Sequence, residues 1–230
     1  MLKKLNKIKA LLIKDIRNNL RNSNTIIFTL LPILFTELYH KFSFGGKKMD
    51  SFYVFTIGLL MSVCTMPISS MAISISEEKE KNTLRTLMLA NVSPIEFLFS
   101  KTFIIFCLTQ FVGTIVYLLT GATIDYSWYF LTSSITNISL ICLGAVIGIL
   151  SKNQMSTSIL STPLILILLI PTALGNLNDS IGMFARYLPT NAMLELLKKQ
   201  NMKFNCATIS TWLLISICLF IYSYRKRMVD

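Results

Sequence analysis

Long apolar runs alternate with short charged ones along this chain. Ser51 to Ser76 has no charged side chain in 26 residues, and Thr102 to Ala122 has none in 21. Runs of that length match the hydrocarbon thickness of a bilayer when coiled as helices, and only helices or closed barrels satisfy their backbone there. The pattern predicts six membrane-crossing helices, at about 22–43, 51–76, 98–120, 128–150, 156–174 and 206–223. The predicted fold class is therefore an all-α membrane protein. Ahead of the first span, residues 1–21 place Leu5, Ile8, Leu12, Ile16 and Leu20 at helical spacing among seven Lys/Arg and the single acid Asp15. That reads as a basic amphipathic helix lying along the membrane interface.

The polar interruptions carry helix signals of their own. Glu77 to Lys101 reads EEKEKNTLRTLMLANVSPIEFLFSK. Ser93-Pro94-Ile95-Glu96 is a capping box with Pro at the first helical position, which predicts a helix start there. Asn82 suits a left-handed break. Thr83 to Ala90 has room for two turns, with Leu84, Leu87 and Met88 on one face. Residues 175–206 form the longest segment between spans. Asp179 can cap a short helix with Ile181, Phe184 and Leu188; after Pro189, Thr190 can cap a second with Met193, Leu194 and Leu197.

Small and polar residues recur within the spans. Gly58, Ser62, Thr65, Ser69, Ala72 and Ser76 form a stripe that either lines a path or allows close helix packing. Thr109 and Gln110 share a face of the third span, and Asn137 lies on the fourth with Gly144 and Gly148. Glu37 and His40 fall on one face at the end of the first span, where they read as an interfacial pair rather than a metal or proton site.

Composition sharpens the class. The 230 residues are 53% hydrophobic and 14% charged, against about 25% charged in a soluble domain. The net charge of +11 would suit nucleic acid, but 15 of the 22 Lys/Arg fall in segments that an N-in, C-in topology puts in the cytosol. The partner of that charge is a lipid bilayer, not nucleic acid. Five cysteines without close pairing, and a lone His, argue against a disulfide framework or a metal site.

Taken together, the charged loop resembles that of the ABC-2 type transporter permease. The family motif runs approximately Glu-x-Glu-x-Gly-Thr-Leu-Glu, then apolar residues, Ser-Pro and Lys; Glu78, Glu80, Thr83, Leu84, Leu87, Pro94 and Lys101 match it. Asn82 replaces the usual Gly, and Arg85 reverses the usual acid. LLIKDIRNNLRN and ARYLPTNAMLELLKK are similar to the family's N-terminal helix and to its outer re-entrant-like segment before the last span. The resemblance implies a single ABC-2 transmembrane domain over 1–230, with residues 77–94 as the cytosolic coupling segment. Glu78, Glu80, Thr83, Leu84, Arg85, Leu87 and Met88 would contact a separate ABC ATPase subunit. It also implies export by alternating access in the cell membrane, as a homodimer or with a second permease, along a path lined largely by the second and fifth spans. Ser62, Thr65, Ser69, Thr109, Gln110 and Asn137 are candidate path residues.

No G-x-x-x-x-G-K-[ST] is present, so the resemblance puts ATP on the partner and no cofactor on this chain. An intramembrane protease built on Glu77-Glu78 would need an Arg where Asn82 stands and further His residues. A channel or secondary transporter is the alternative without an ATPase; the nearly uncharged spans disfavour ion coupling. The apolar spans favour an amphipathic substrate such as an antimicrobial peptide, a drug or a lipid-like molecule. The topology is checked by single cysteines in a Cys-free background. Cysteines at Lys47, Asp125 or Asn178 are expected to react with an impermeant thiol reagent from outside intact cells, and cysteines at Lys81 or Arg227 are not. Labelling at Lys81 from outside overturns it.

Overall fold

The computed structural model describes residues 2–41, 50–81, 83, 94–175 and 178–226; side chains are described from 9 and, after the second gap, from 96. Nine helices lie among them, and no strand. They are α1 (Leu2–Arg21), α2 (Ser23–Lys41), α3 (Ser51–Glu80), α4 (Pro94–Thr120), α5 (Tyr126–Leu150), α6 (Gln154–Leu174), α7 (Asp179–Ala185), α8 (Pro189–Leu197) and α9 (Met202–Tyr224). Five of these, α3, α4, α5, α6 and α9, are long and apolar enough to cross a membrane. The sixth expected span is α2, a 19-residue helix ending in His40 and Lys41 that falls short of that measure. Its Glu37 pairs with Lys41 at 2.6 Å near its exposed end.

α3 is the axis. It packs against α2, α4, α5, α6 and α8, while α9 lies outside on α5 and α8, and α1 rests on α4 and α2. The apolar stretches of α3 and α5 are 61% and 67% buried, whereas those of α6 and α9 are each only 22% buried. The two peripheral helices thus leave most of their apolar surface free for lipid or another subunit. One end of the bundle gathers α1, the end of α3, the start of α4, the turn between α5 and α6, and the end of α9. This is called the charged end below. The far end holds α7, α8 and the start of α3.

The α3–α5 contact meets the small-residue stripe at Ala72, whereas Gly58 lies against Thr36 of α2 and Val116 of α4. A Cβ at Gly144 would come within 2.6 Å of the Ile68 carbonyl oxygen and 2.9 Å of that of Pro67; one at Gly148 would come within 2.8 Å of the Ala72 oxygen. Backbones meet that closely only where side chains are missing, and in lipid such contact supplies dispersion that the hydrophobic effect does not. Gly58, Ser62, Ser69, Ala72 and Ser76 are buried within this chain, and Thr65 is half-buried. α3 continues through Pro67 without a break.

At the far end, α7 is capped by Asn178, whose Oδ1 accepts from the Ser180 amide, rather than by Asp179. Leu188 occupies the cap position of α8 and Pro189 its first turn, so the helix starts two residues earlier than a Thr190 cap had suggested. A Pro there loses no helical hydrogen bond. Thr190 is freed to reach α6, bonding the Thr172 hydroxyl at 2.9 Å and donating to the Leu168 carbonyl at 3.0 Å. Trp128 donates to the Leu196 carbonyl and Trp212 to the Tyr187 carbonyl, which ties α8 and the turn before it to α5 and α9.

Gly144→Leu must push α3 and α5 apart, and overpacking of this kind costs about 1–3 kcal/mol or more. A lower melting temperature and reduced abundance of the tagged, detergent-extracted protein are expected. Wild-type behaviour would show that the two helices do not meet at this glycine.

Candidate functional site

The charged end is built from five successive residues, Glu77-Glu78-Lys79-Glu80-Lys81, which close α3. Successive helical residues point around the whole circumference, so the described contacts of these five reach different neighbours. Glu77 accepts from Asn18 at 3.1 Å and Asn22 at 3.3 Å on and after α1, and pairs with Lys81 at 2.5 Å. Glu78 accepts from Lys14 at 2.7 Å, pairs with Lys101 of α4 at 3.4 Å and takes a hydrogen bond from Thr83. Lys79 donates to the Ile149 carbonyl at 2.7 Å and the Ser151 carbonyl at 2.6 Å, capping the end of α5. Glu80 accepts from the Gln154 amide at 3.1 Å, at the start of α6. Glu77 also raises the pKa of the Lys81 ammonium, first through the hydrogen bond and then through charge.

At the centre is a ring of alternating charge. Lys14 meets Glu78, Glu78 meets Lys101, and Lys101 meets Asp15 at 3.3 Å, next to Lys14 on α1. Asp15 also accepts from the Ser100 hydroxyl at 2.7 Å, and Lys101 donates to Ser74 at 2.8 Å while lying 4.9 Å from the Phe97 ring centroid. Lys101 is only 1% exposed and Asp15 2%. An isolated charge at that depth would cost several kcal/mol, so each must be met by an opposite one and by further hydrogen bonds.

α1 supplies this by turning its polar side inward. Asp15 and Asn19 are buried, Lys14, Asn18 and Asn22 are partly buried, and Ile13, Ile16 and Leu20 are exposed. Of the apolar residues that marked this helix in the sequence, Leu12 is half-buried and Ile16 and Leu20 face outward; the side chains of Leu5 and Ile8 lie outside the described residues.

Of the residues expected to contact a partner, Glu78 is buried in the ring, Glu80 is at the surface on α6, and Thr83 bonds Glu78. Leu84, Arg85, Leu87 and Met88, the expected two-turn helix and the Ser93 cap lie outside the described residues. The candidate path residues have different surroundings within the chain. Ser62, Thr65 and Thr109 return their hydroxyls to carbonyls of their own helices, Ser69 is buried, and Gln110 bridges to Ser133 and Ser134. Asn137 is fully buried with neither amide atom paired among the described residues. A cavity of about 530 Å³ opens instead at the far end, between α3, α6, α7 and α8, with Phe52, Tyr53, Asp179, Glu195 and Lys198 in its wall.

Sequence reasoning passed over Asp15, Lys14, Asn18, Asn22, Ser74 and Ser100. The available signal was the stripe Asp15, Asn18, Asn19, Asn22, at helical spacing and opposite Ile13, Ile16 and Leu20.

The family model described as an ABC-2 family transporter protein matches residues 1–223. The chain belongs to the ABC-2 transporter family. No curated protein matches it. As an ABC-2 permease it is a membrane transport protein with five candidate spans, and permeases of this family associate in general with an ABC ATPase. In this ABC-2 permease the acidic motif closing α3 is a junction for α1, α4, α5 and α6.

Lys101→Met removes the centre of the ring and leaves Asp15 and Glu78 buried with one fewer partner. Breaking a buried pair from one side costs about 3–5 kcal/mol. The expected result is a large fall in melting temperature in detergent, greater than that of Lys203→Met at an exposed position. Equal melting of the two variants would show that the ring does not hold the end of the bundle.

Proposed function

We propose that this chain is the transmembrane subunit of an ATP-driven exporter in the cell membrane, with six spans, both termini in the cytosol and a separate ATPase that binds at the charged end. One observation carries the reading. The motif shared with the family closes the axial helix α3 and is bonded directly to four other elements. A load applied to the segment leaving that motif reaches the rest of the bundle through charge-assisted bonds rather than a flexible loop. In this reading Leu84, Leu87 and Met88 form an apolar face that the ATPase covers, since eight residues are too few for a free-standing helix in water.

The permease works as a homodimer or beside a second permease, with the exposed sides of α6 and α9 supporting such a contact. The substrate is amphipathic. The far-end cavity supports this with aromatic walls from Phe52 and Tyr53 beside both acids and cations, between the helices that correspond to the second and fifth spans. ATP stays on the partner.

Leu87→Asp tests the reading. Burying a Leu is worth about 1.5–3 kcal/mol, and a carboxylate in its place is penalised. The variant is expected to insert at normal abundance, to lose the ATPase in a membrane pull-down and to lose transport. Intact ATPase binding and transport would remove 83–90 as the coupling element. A collapse in abundance would show that the apolar face is packed inside the permease itself.

A further inference from the structure

The outward side of α1 carries an aliphatic stripe and a cationic one, of which only Lys14 touches the ring at the charged end. Ile13, Ile16 and Leu20 are 53%, 46% and 65% exposed. Beside them runs an open groove of about 370 Å³, lined by Ala10, Ile13, Lys14, Arg17, Asn18 and Arg21. Lys14, Arg17 and Arg21 stand at helical spacing along its floor, and Arg17 and Arg21 are exposed without an ion pair among the described residues. Three large aliphatic side chains in water beside unpaired cations would be a poor arrangement on a soluble surface. At a bilayer surface both stripes are satisfied together: the aliphatics enter the acyl boundary and the cations stay at headgroup height.

We propose that this groove seats the phosphate of an anionic phospholipid, with Arg17 and Arg21 as its main contacts and Lys14 as a third, shared with Glu78. Charge complementarity commits the occupant to an anionic headgroup, and the flanking Ile13, Ile16 and Leu20 commit its source to the membrane rather than to free phosphate. Lys14 is the physical link to the ring. It lines the groove and, at 40% exposure, bonds Glu78 at 2.7 Å. A seated phosphate therefore draws on the same ammonium that holds Glu78. The inference rests on the permease reading only for the leaflet that α1 faces.

The test uses the full chain without its ATPase in nanodiscs of equal phosphatidylglycerol and phosphatidylcholine, so that a failure to bind ATPase leaves the result standing. Lipid retained on extraction is read by native mass spectrometry, and Lys14 acylation by a water-soluble amine reagent is read by peptide mass. Wild type is expected to retain phosphatidylglycerol preferentially and to acylate Lys14 more slowly than in phosphatidylcholine discs. Arg17→Gln and Arg21→Gln should each lower the preference by about fivefold and together abolish the Lys14 protection, at unchanged abundance. Arg186→Gln, an exposed cation at the far end, should change neither. An equal effect of Arg186→Gln, or no effect of the α1 variants, overturns the site. Protection of Lys14 by inorganic phosphate in phosphatidylcholine discs, to the same degree, overturns the membrane as source. In a separate membrane pull-down with the ATPase present, loss of ATPase capture by the α1 variants while their lipid preference stays intact would make an acidic protein surface the occupant and overturn the site as well.

Discussion

Everything at the charged end depends on meeting the buried Lys101 side chain with partners of opposite charge. The side chain is among the largest fully buried ones in the described structure. Two carboxylates, a serine hydroxyl and an aromatic face surround it. Those groups come from α1, α3 and α4, so none of these helices can shift without exposing a charge to an apolar neighbour. Each deviation is penalised by the desolvation that the ring otherwise offsets. The net stabilisation of such a ring over an apolar core is small, but its geometric selectivity is high, because removing any one member strands the others.

This requirement dictates how α1 lies. A helix on a soluble protein turns its apolar side to the core. Here the core at that level is polar, since Ser74, Glu77, Glu78 and Lys101 all need partners, so the polar side of α1 faces in and Ile13, Ile16 and Leu20 face out. The same inversion leaves Arg17 and Arg21 beside outward aliphatics. Halfway along the bundle the adhesive is different. Gly144 and Gly148 let α5 touch the α3 backbone, with no ionic contact at that level. The axial helix is thus gripped by close packing along its length and by charge at its end.

Much of this was legible beforehand. Long uncharged runs match the thickness of a bilayer, and α3, α4, α5, α6 and α9, the five candidate spans, fall where hydropathy puts them, with ends a few residues longer because the terminal turns lie beyond the apolar core. The family was legible because Glu78, Glu80, Thr83, Pro94 and Lys101 keep a spacing that a loop of free composition would not. The 19-residue α2, expected as a span, is the one that falls short, since its apolar stretch is short and ends among Glu37, His40 and Lys41.

Periodicity reports which residues share a face but not what covers that face, and this is where tertiary structure decided. The α3 stripe from Gly58 to Ser76 had two physically sound partners, a path or a helix; in the folded chain Gly58 lies against Thr36 and Val116, and Ala72 against Gly148. Glu78 stood in an exposed-looking acidic run, and only the approach of Lys14 and Lys101, 64 and 23 residues away in the chain, made it internal. The Asp15, Asn18, Asn19, Asn22 stripe looked solvated for the same reason. Local sequence encodes helix, length and face through steric and hydropathic terms that act within a few turns. The burial of a charge is settled by long-range Coulomb and desolvation terms, whose sign depends on groups that only folding brings together.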